Sequence, residues 1–132
     1  MKKIILIIAK YLFYLYAFIW LIFPRNISSM KDVLKIFYID FLKINTKDIE
    51  IVNISENELI IRCRNPCPIL WLATHLKLDT KYVCKEVSEP VCKYFLKKLN
   101  QKLIFERNYN YIRPYKDGCE ERVHIKKNKN NN

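Results

Sequence analysis

The run from Ile4 to Phe23 is the sequence feature that most restricts how this chain can fold. It contains 20 residues and a single charge, Lys10. A helix of this length, at about 1.5 Å per residue, matches the hydrocarbon core of a bilayer. The run can avoid water as a membrane-spanning anchor, or as a fully buried helix that packs on the domain and is apolar all round. Length and hydropathy favour the anchor, since Lys10 can snorkel to one interface and Trp20 suits the other.

The flanks of this run do not fix its orientation. Lys2 and Lys3 precede it, and Arg25, Lys31 and Lys35 follow it, so both sides carry positive charge. No small-residue cleavage site follows the run, which favours an uncleaved anchor over a signal peptide. The sequence therefore predicts a membrane-associated protein with a single N-terminal anchor over residues 1–24. A cytoplasmic location is the alternative if the run packs on the domain.

The remainder of the chain predicts one α+β domain over residues 28–126. Ser28 or Ser29 caps an amphipathic helix, and alternating and helical periodicities follow in the order strand, strand, helix, helix, strand, strand. The order indicates an antiparallel sheet with helices on it. The predicted elements are helix 30–44, strands 48–54 and 58–64, helices 68–77 and 88–99, and strands 103–112 and 119–126. Residues 127–132 contain Lys and Asn only, so we expect a disordered tail.

Composition excludes some classes of function and weakens others. Gly118 is the single glycine, which excludes a Gly-rich phosphate loop. The formal net charge of +11 suits an anionic membrane surface or a nucleic acid. Lys outnumbers Arg 18 to 6, whereas specific phosphate and base recognition relies on Arg forks. The expected partners are therefore a membrane and a small-molecule ligand, and nucleic acid is disfavoured.

All five cysteines lie in residues 63–119, and an odd number disfavours a secreted disulfide scaffold. They are either free buried thiols in a reducing compartment or members of a metal or catalytic site. Cys67 falls in the first turn of the predicted helix 68–77, where the helix N-terminus favours a thiolate, so it is the candidate nucleophile. Cys63 sits within a strand and Cys92 within a helix, as packing residues would.

The residues Cys67-Pro68, Cys84 and Gly118-Cys119-Glu120 form a pattern that resembles the small-molecule-binding domain of the 4-vinyl-reductase type. It is also similar to the 2-amino-thiazoline-4-carboxylate hydrolase proteins. The resemblance covers residues 49–125, and the chain departs from the pattern at Cys63 and Cys92 and in its N-terminal hydrophobic segment. It implies an α+β domain with a pocket between sheet and helices that holds a small organic ligand.

Ligand chemistry suggests that Cys67, Cys84 and Cys119 form one site. A helix start after a hairpin and the start of a returning strand can lie at the same end of an antiparallel sheet, and the link between the two helices can reach that end. Three thiolates there can hold zinc or another soft metal, with His75 or His124 as a fourth ligand. No C-x2-C pair supports a metal, and we expect His75 to be a partly buried helix residue and His124 a solvent-facing strand residue.

Other polar residues near the last turn give further candidates. Arg107, Tyr109, Arg113 and Tyr115 can bind a carboxylate or a flat ligand, or can form cross-strand pairs on the sheet surface. Glu120-Glu121 can supply a general base, although a solvated strand end is the favoured interpretation, since alternation places only Glu121 on the face of Cys119.

Two functions of different classes remain open. The first is a ligand- or metal-binding, sensor-like domain tethered to a membrane. The second is a thiol-dependent hydrolase acting on a small cyclic amide-like substrate. A catalytic cysteine needs a base within reach, and neither histidine has a clear claim to that role, which favours the binding domain.

Overall fold

A computed structural model describes residues 1–23 and 25–126 of the chain. The predicted tail at 127–132 lies outside the described residues. Helices and a four-stranded antiparallel sheet confirm the α+β class. The strands are β1 (Ile49–Ile54), β2 (Glu58–Cys63), β3 (Leu103–Asn108) and β4 (Cys119–Ile125), in the spatial order β1-β2-β4-β3.

In the described part of the chain, four longer helices and a 3-10 turn, Thr46–Asp48, accompany the sheet. Helix α1 is Lys2–Leu21, and α2 joins one turn, Met30–Asp32, to a π-helical segment, Val33–Phe41. Helix α3 is Pro68–Leu76. Helix α4 runs without a break through Thr80–Val83, the π-helical segment Cys84–Ser88, and Glu89–Leu99.

Helix α2 begins where the capping pattern predicts. The Ser29 side chain accepts a hydrogen bond from the Asp32 amide, and the Asp32 carboxylate accepts one from the Ser29 amide. This reciprocal pair satisfies donors that a helix N-terminus leaves free. The helix ends at Phe41, short of the predicted residue 44, and Lys43 takes a left-handed conformation with φ of 59° just beyond it.

Helix α4 corrects the prediction that a link separates the helices around Cys84. The helix starts at Thr80, where Asp79 caps it, and Cys84 lies inside it rather than in a loop. Pro90 suggested a helix start, but it sits mid-helix directly after the π-helical segment. Proline has no N–H to give the preceding turn, and the wider turn ending at Ser88 accommodates it.

Alternation divides the sheet into two faces, as predicted. Leu59 and Ile61 on β2, Phe105 on β3 and Val123 on β4 are buried on the inner face. Phe37 of α2 packs over them, with its ring 5.9 Å from that of Phe105. Helix α4 covers β3, so α2 and α4 together form the helical layer over the inner face. The opposite, outer face carries Glu58, Arg122 and other polar side chains.

Strand β3 ends at Asn108, whereas the aromatic run predicted a strand to residue 112. The Tyr111 amide donates to the Asn108 carbonyl at 3.0 Å, which turns the chain out of the sheet. Ile112 is nevertheless fully buried, because the loop 109–118 folds back over the end of the sheet. The loop packs against the elements that carry the cysteines.

Helix α1 forms a further layer on the side of α2 and α4 that is turned away from the sheet. Phe13, Tyr16 and Trp20 contact the Phe41 ring, and the Tyr16 hydroxyl donates to the Phe41 carbonyl at 2.5 Å. Nearer the N-terminus, Leu6 is buried against a cluster from α3 and α4, namely Ala73, Val83 and Val87. Docking therefore extends along most of the helix.

The other face of α1 is exposed and apolar. Helix α1 is long and apolar enough to cross a membrane, although one side of it contacts the domain. The interpretation as a fully buried helix fits only its inward side, where Leu6 and Ala17 are buried. The exposed residues are Ile4, Ile5, Ile7, Ile8, Tyr11, Leu12, Leu15, Phe18 and Ile19, followed by Ile22 and Phe23.

Candidate functional site

A buried ion pair lies between the sheet and α4. Arg107 on β3 and Glu121 on β4 are directly opposite each other in the strand register. Their side chains point to the inner face, where Arg107 Nη2 lies 2.5 Å from Glu121 Oε1 and the two side chains are 6% and 5% exposed. Two isolated charges would be strongly disfavoured at such burial, so each residue requires the other.

Helix α4 presents a thiol and a hydroxyl to this ion pair. Arg107 Nη1 lies 2.8 Å from Cys84 Sγ, and Nη2 donates to Ser88 Oγ at 3.4 Å. Cys84 and Ser88 are four residues apart and share one side of the helix. Burial raises the pKa of the Cys84 thiol to about 11, and the positive charge of Arg107 opposes that rise. The Cys84 sulfur is therefore a neutral thiol at neutral pH.

A second guanidinium sits on Cys119 at the start of β4. The Arg113 amide and Arg113 Nε each donate to Cys119 Sγ at 3.4 Å, and Arg113 Nη1 donates to the Asn65 carbonyl. Cys63 is opposite Cys119 in the β2–β4 register, and its thiol donates to the Cys119 carbonyl at 3.7 Å. Burial raises the pKa of Cys63 far above its ordinary value. We call Tyr38, Cys84, Arg107, Arg113, Cys119 and Glu121 the thiol–arginine cluster.

Several polar atoms at the centre of this cluster are buried with incomplete hydrogen bonding among the described residues. They are Tyr38 Oη, Arg107 Nε and Glu121 Oε2. Tyr38 is fully buried; burial, the charge of Glu121 and the proximity of the Tyr38 hydroxyl to the Glu121 carboxylate raise the pKa of its phenol well above the ordinary value. Unpaired buried polar groups are rare in folded proteins, because each one loses its hydration without replacement. Their convergence marks a place where a water or a ligand group completes the hydrogen bonding.

Cys67 is the most accessible of the five cysteines. It is half-buried and is the N-cap residue of α3, one position before the predicted first turn. Cys84 contacts Arg107, whereas Cys119 contacts Arg113. The grouping of Cys67, Cys84 and Cys119 in one site therefore stays a prediction from the sequence.

Metal binding has no further support in the described residues. Within residues 1–23 and 25–126, no three His, Cys, Asp or Glu side chains are grouped so that they could hold a metal ion. The three-cysteine metal site therefore stays a prediction from the sequence.

The two remaining cysteines, Cys63 and Cys92, are buried members of the hydrophobic core, which agrees with their predicted role as packing residues. Cys92 is fully buried on α4, and its sulfur lies 3.8 Å from Ser88 Oγ. Burial raises the pKa of Cys92 to about 12, and the charge of Glu121 adds to the rise.

Both histidines lie away from the cluster. The His75 ring stacks on Trp71 at 4.1 Å between centroids, and its Nδ1 lies 3.1 Å from the Trp71 carbonyl oxygen. It is exposed, whereas the sequence predicted a partly buried helix residue. His124 is on the outer face, with Nε2 at 3.3 Å from Glu106 Oε1.

The predicted ligand-binding residues separate into two groups. Arg107, Tyr109 and Arg113 adjoin the cysteines, and the half-buried Tyr109 has a pKa that burial and the charge of Glu89 raise far above its ordinary value. Tyr115 is 58% exposed, with its ring 5.1 Å from Lys81 Nζ, and lies outside the cluster.

The favoured interpretation of Glu120-Glu121 as a solvated strand end is wrong for Glu121. Its side chain faces inward with Cys119, as alternation predicted, and is 4% exposed. The sequence reasoning also missed Tyr38 and Ser88. The signal for Arg107 was available, since it shares a strand face with Leu103 and Phe105, where an arginine needs a buried counter-charge.

A shallow pocket of about 530 Å³ lies elsewhere, on the outer face of the sheet. Its lining includes Glu58, Ile104, Arg122 and His124, most of which form an exposed charge ladder. The thiol–arginine cluster is closed by comparison, although its member Arg113 is half-buried, as is Cys67 at the start of α3.

Comparison with known proteins adds no relative. No family model matches the chain, and neither a curated protein nor a solved structure matches it. The resemblance over residues 49–125 therefore stays a prediction.

Proposed function

We propose that this chain is a membrane-associated domain that binds a small organic anion at the thiol–arginine cluster. The observation that carries this proposal is the cluster of buried polar atoms with incomplete hydrogen bonding, namely Tyr38 Oη, Arg107 Nε and Glu121 Oε2, with the Arg113 guanidinium nearby. Pockets that bind small molecules combine apolar walls with a few convergent polar groups. The proposal agrees with the resemblance of residues 49–125 to small-molecule-binding domains.

Charge around the cluster favours an anion. The negative charge of Glu121 neutralises that of the buried Arg107. The positive charge of the half-buried Arg113 is not neutralised by this pair. Lys85 lies close by, with its Nζ 5.1 Å from the Tyr109 ring. A guanidinium binds a carboxylate through parallel hydrogen bonds, so Arg113 is the residue that we assign to a carboxylate of the ligand.

The hydrolase alternative is less well supported. Neither histidine lies near Cys67 or Cys84, and Glu121 is engaged with Arg107. The pKa of Cys84 is raised to about 11 by burial, which leaves it a poor nucleophile at neutral pH. A binding role needs no thiolate and no base.

Thermal unfolding of the full chain with a set of small carboxylates tests the proposal. A ligand that binds only the folded state raises Tm, and at 100 times its Kd it adds about 2.7 kcal/mol of stability. We expect Arg113→Met to abolish the increase in Tm. Arg122→Met is the matched control, because it removes a guanidinium from the outer face, and it should keep the increase.

Alkylation gives a second readout for the same ligand. Cys67 is half-buried and the other four cysteines are buried, so iodoacetamide should modify Cys67 first. A bound carboxylate should slow this modification in the wild type and leave it unchanged in Arg113→Met. A set of carboxylates that neither raises Tm nor protects Cys67 would contradict the proposal.

The alternative ligand, zinc or another soft metal, has a distinct signature. A zinc site made by Cys67, Cys84 and Cys119 should be lost in single Cys→Ser variants at those positions and retained in Cys92→Ser. Metal analysis of the reduced, purified chain and of these variants decides between the two ligand classes.

We also propose that residues 4–23 attach the chain to a membrane as its single N-terminal anchor. The exposed apolar side of α1 and the net charge of +11 support the attachment. Membrane fractions of expressing cells, prepared without a carbonate wash, should contain the protein. Recovery of all of it in the soluble fraction would refute the attachment.

A further inference from the structure

Helix α1 has two apolar sides, and only one of them is covered. The inward side contacts α2, α3 and α4 through Leu6, Tyr16 and Ala17. The outward side exposes Ile8 by 54%, Leu15 by 54% and Ile19 by 52%. Soluble monomers rarely expose an apolar surface that extends along a whole helix, so this surface marks an interaction site.

The distribution of charge identifies lipid as the partner that covers it. At 100° per residue, Ile4, Ile8, Leu15 and Ile19 share the outward side, and Lys10 falls on the side towards the domain. Tyr11 lies next to Lys10 in the chain, with its ring 6.0 Å from Lys10 Nζ. The outward side is therefore free of charge over the length of α1.

Cations stand near both ends of this apolar side. Lys2 and Lys3 lie at its N-terminal end, and Arg25 and Lys43 lie near its C-terminal end, at 4.4 Å and 5.4 Å from the centre of the Trp20 ring. Basic residues at the edge of a membrane-facing surface attract anionic lipids.

The packing of α1 on the domain distinguishes between two arrangements, a helix that spans the bilayer and a helix that lies on its surface. A spanning α1 would have to leave the domain, which would break the hydrogen bond from Tyr16 to Phe41 and uncover Phe41, Val83 and Val87. A helix that lies in the interface keeps those contacts and buries its outward side in lipid. Lipid-surface helices usually have a polar side towards water, and here the domain occupies that side.

We propose that α1 stays docked on the domain and lies in the plane of an anionic membrane surface, with its outward side in the lipid. This inference rests on the proposed membrane attachment and specifies its geometry. The membrane-facing surface comprises Ile4, Ile8, Tyr11, Leu15, Phe18 and Ile19.

Labelling on vesicles tests this geometry. Single cysteines at Lys2→Cys and Asn26→Cys, both exposed positions, are introduced into the full chain with Cys67→Ser to remove the most accessible native thiol. Each protein is added from mild detergent to the outside of preformed vesicles of phosphatidylcholine and phosphatidylserine. A membrane-impermeant maleimide should then label both positions without detergent. Labelling at residue 2 only after detergent would show that α1 spans the bilayer and would overturn the inference, while the attachment itself would stand.

Lipid specificity and the role of the outward side need a second measurement. Vesicle co-sedimentation should show stronger binding with phosphatidylserine than with phosphatidylcholine alone. Leu15→Lys should reduce the bound fraction at least about tenfold, because it places a charge within the buried apolar side. Ile51→Lys is the matched control, since Ile51 is an apolar residue of β1 with 46% exposure, and it should bind normally.

Two other outcomes would overturn the proposal. Absence of binding to either vesicle would remove the membrane attachment together with its geometry, while the carboxylate test of the thiol–arginine cluster would be unaffected. A stable dimer in sedimentation velocity that Leu15→Lys dissociates, with no vesicle binding, would assign the outward side of α1 to a second copy of the chain.

Discussion

The two faces of the sheet use the same pair of residue types in opposite ways. Glu120 and Glu121 are neighbours on β4, and each pairs with an arginine on an adjacent strand. Glu120 faces outward and binds Arg62 Nε at 3.0 Å, with side chains that are 18% and 32% exposed. Glu121 faces inward and binds Arg107 at 2.5 Å with almost no exposure.

The difference teaches that burial, rather than distance, sets the importance of an ion pair. Exposed pairs contribute little because water already solvates both charges, and salt screens them. A buried pair gains strong attraction but loses the hydration of both ions, so removal of one partner leaves the other charge uncompensated. Removal of a charged side chain should therefore change stability little on the outer face and greatly on the inner face.

The largest effect should come from removing the buried carboxylate. Glu121→Ala leaves the Arg107 guanidinium buried without a counter-charge, and we expect a loss of about 3–5 kcal/mol in the free energy of unfolding. Denaturant titration of the full chain in mild detergent measures it. Glu120→Ala is the matched control and should lose less, about 1–2 kcal/mol, because it removes a half-buried contact with Arg62 and a hydrogen bond from Asn108 but leaves Arg62 in reach of water. Equal losses in the two variants would contradict the distinction between the faces.

The free energy of unfolding should fall at high pH because the Cys84 thiol is buried. Its pKa rises from an ordinary 9.0 to about 11, so the unfolded chain releases this proton first as the pH increases. Stability should be complete below pH 9.0 and should fall between 9.0 and about 11. At about 1.4 kcal/mol per pH unit, the contribution of Cys84 is about 2–3 kcal/mol.

Comparison of variants isolates this contribution from other groups that titrate in the same range. Cys84→Ala should reduce the fall in the free energy of unfolding but not abolish it, because the buried thiols of Cys63 and Cys92 contribute to it as well. Ser88→Ala, which keeps all three thiols, should retain the whole fall. A fall of the same size in Cys84→Ala would show that the thiol is not its source.

A smaller effect is expected on the outer face. Arg122 lies 2.7 Å from Glu58 and 3.3 Å from Glu106, with 42% of its side chain exposed. Arg122→Ala should lower the free energy of unfolding by about 1 kcal/mol or less. The loss should shrink in concentrated salt, whereas the loss in Glu121→Ala should persist. Denaturant titrations at low and high salt give this contrast, and a salt-independent loss in Arg122→Ala would count against it.

The smallest effect concerns protonation on the outer face. A hydrogen bond from Asn53 and another from Arg122 lower the pKa of Glu58. The stabilisation from these contacts is present at neutral pH and is lost as the pH falls through the lowered pKa. NMR titration should show an upward shift of the Glu58 midpoint in Asn53→Ala and in Arg122→Ala, and unchanged midpoints would refute these contacts.

The sequence by itself determined which residues face inward. Period-two alternation placed Leu59, Ile61 and Cys63 on one side of β2 and grouped Cys119 with Glu121 on β4, because successive side chains of a strand point in opposite directions. The capping residues Ser29 and Asp32 fixed the start of α2 for an equally local reason. Local geometry is encoded over a few residues and could be predicted.

Tertiary structure alone decided how those residues combine. The pairing of Arg107 with Glu121 depends on the register between β3 and β4, and the contact with Cys84 depends on where α4 crosses the sheet. Pro90 gave a misleading helix start, because a π-helical segment upstream accommodates the missing amide hydrogen.

The same distinction applies to α1. The hydropathy of α1 determined that most of its surface must be shielded from water. It does not determine whether lipid or a protein core provides the shielding, because both are apolar. The Tyr16 hydrogen bond and the contacts of Leu6 decided which side meets the domain. Apolar burial is non-directional, so only long-range packing can choose the partner for each side of an apolar helix.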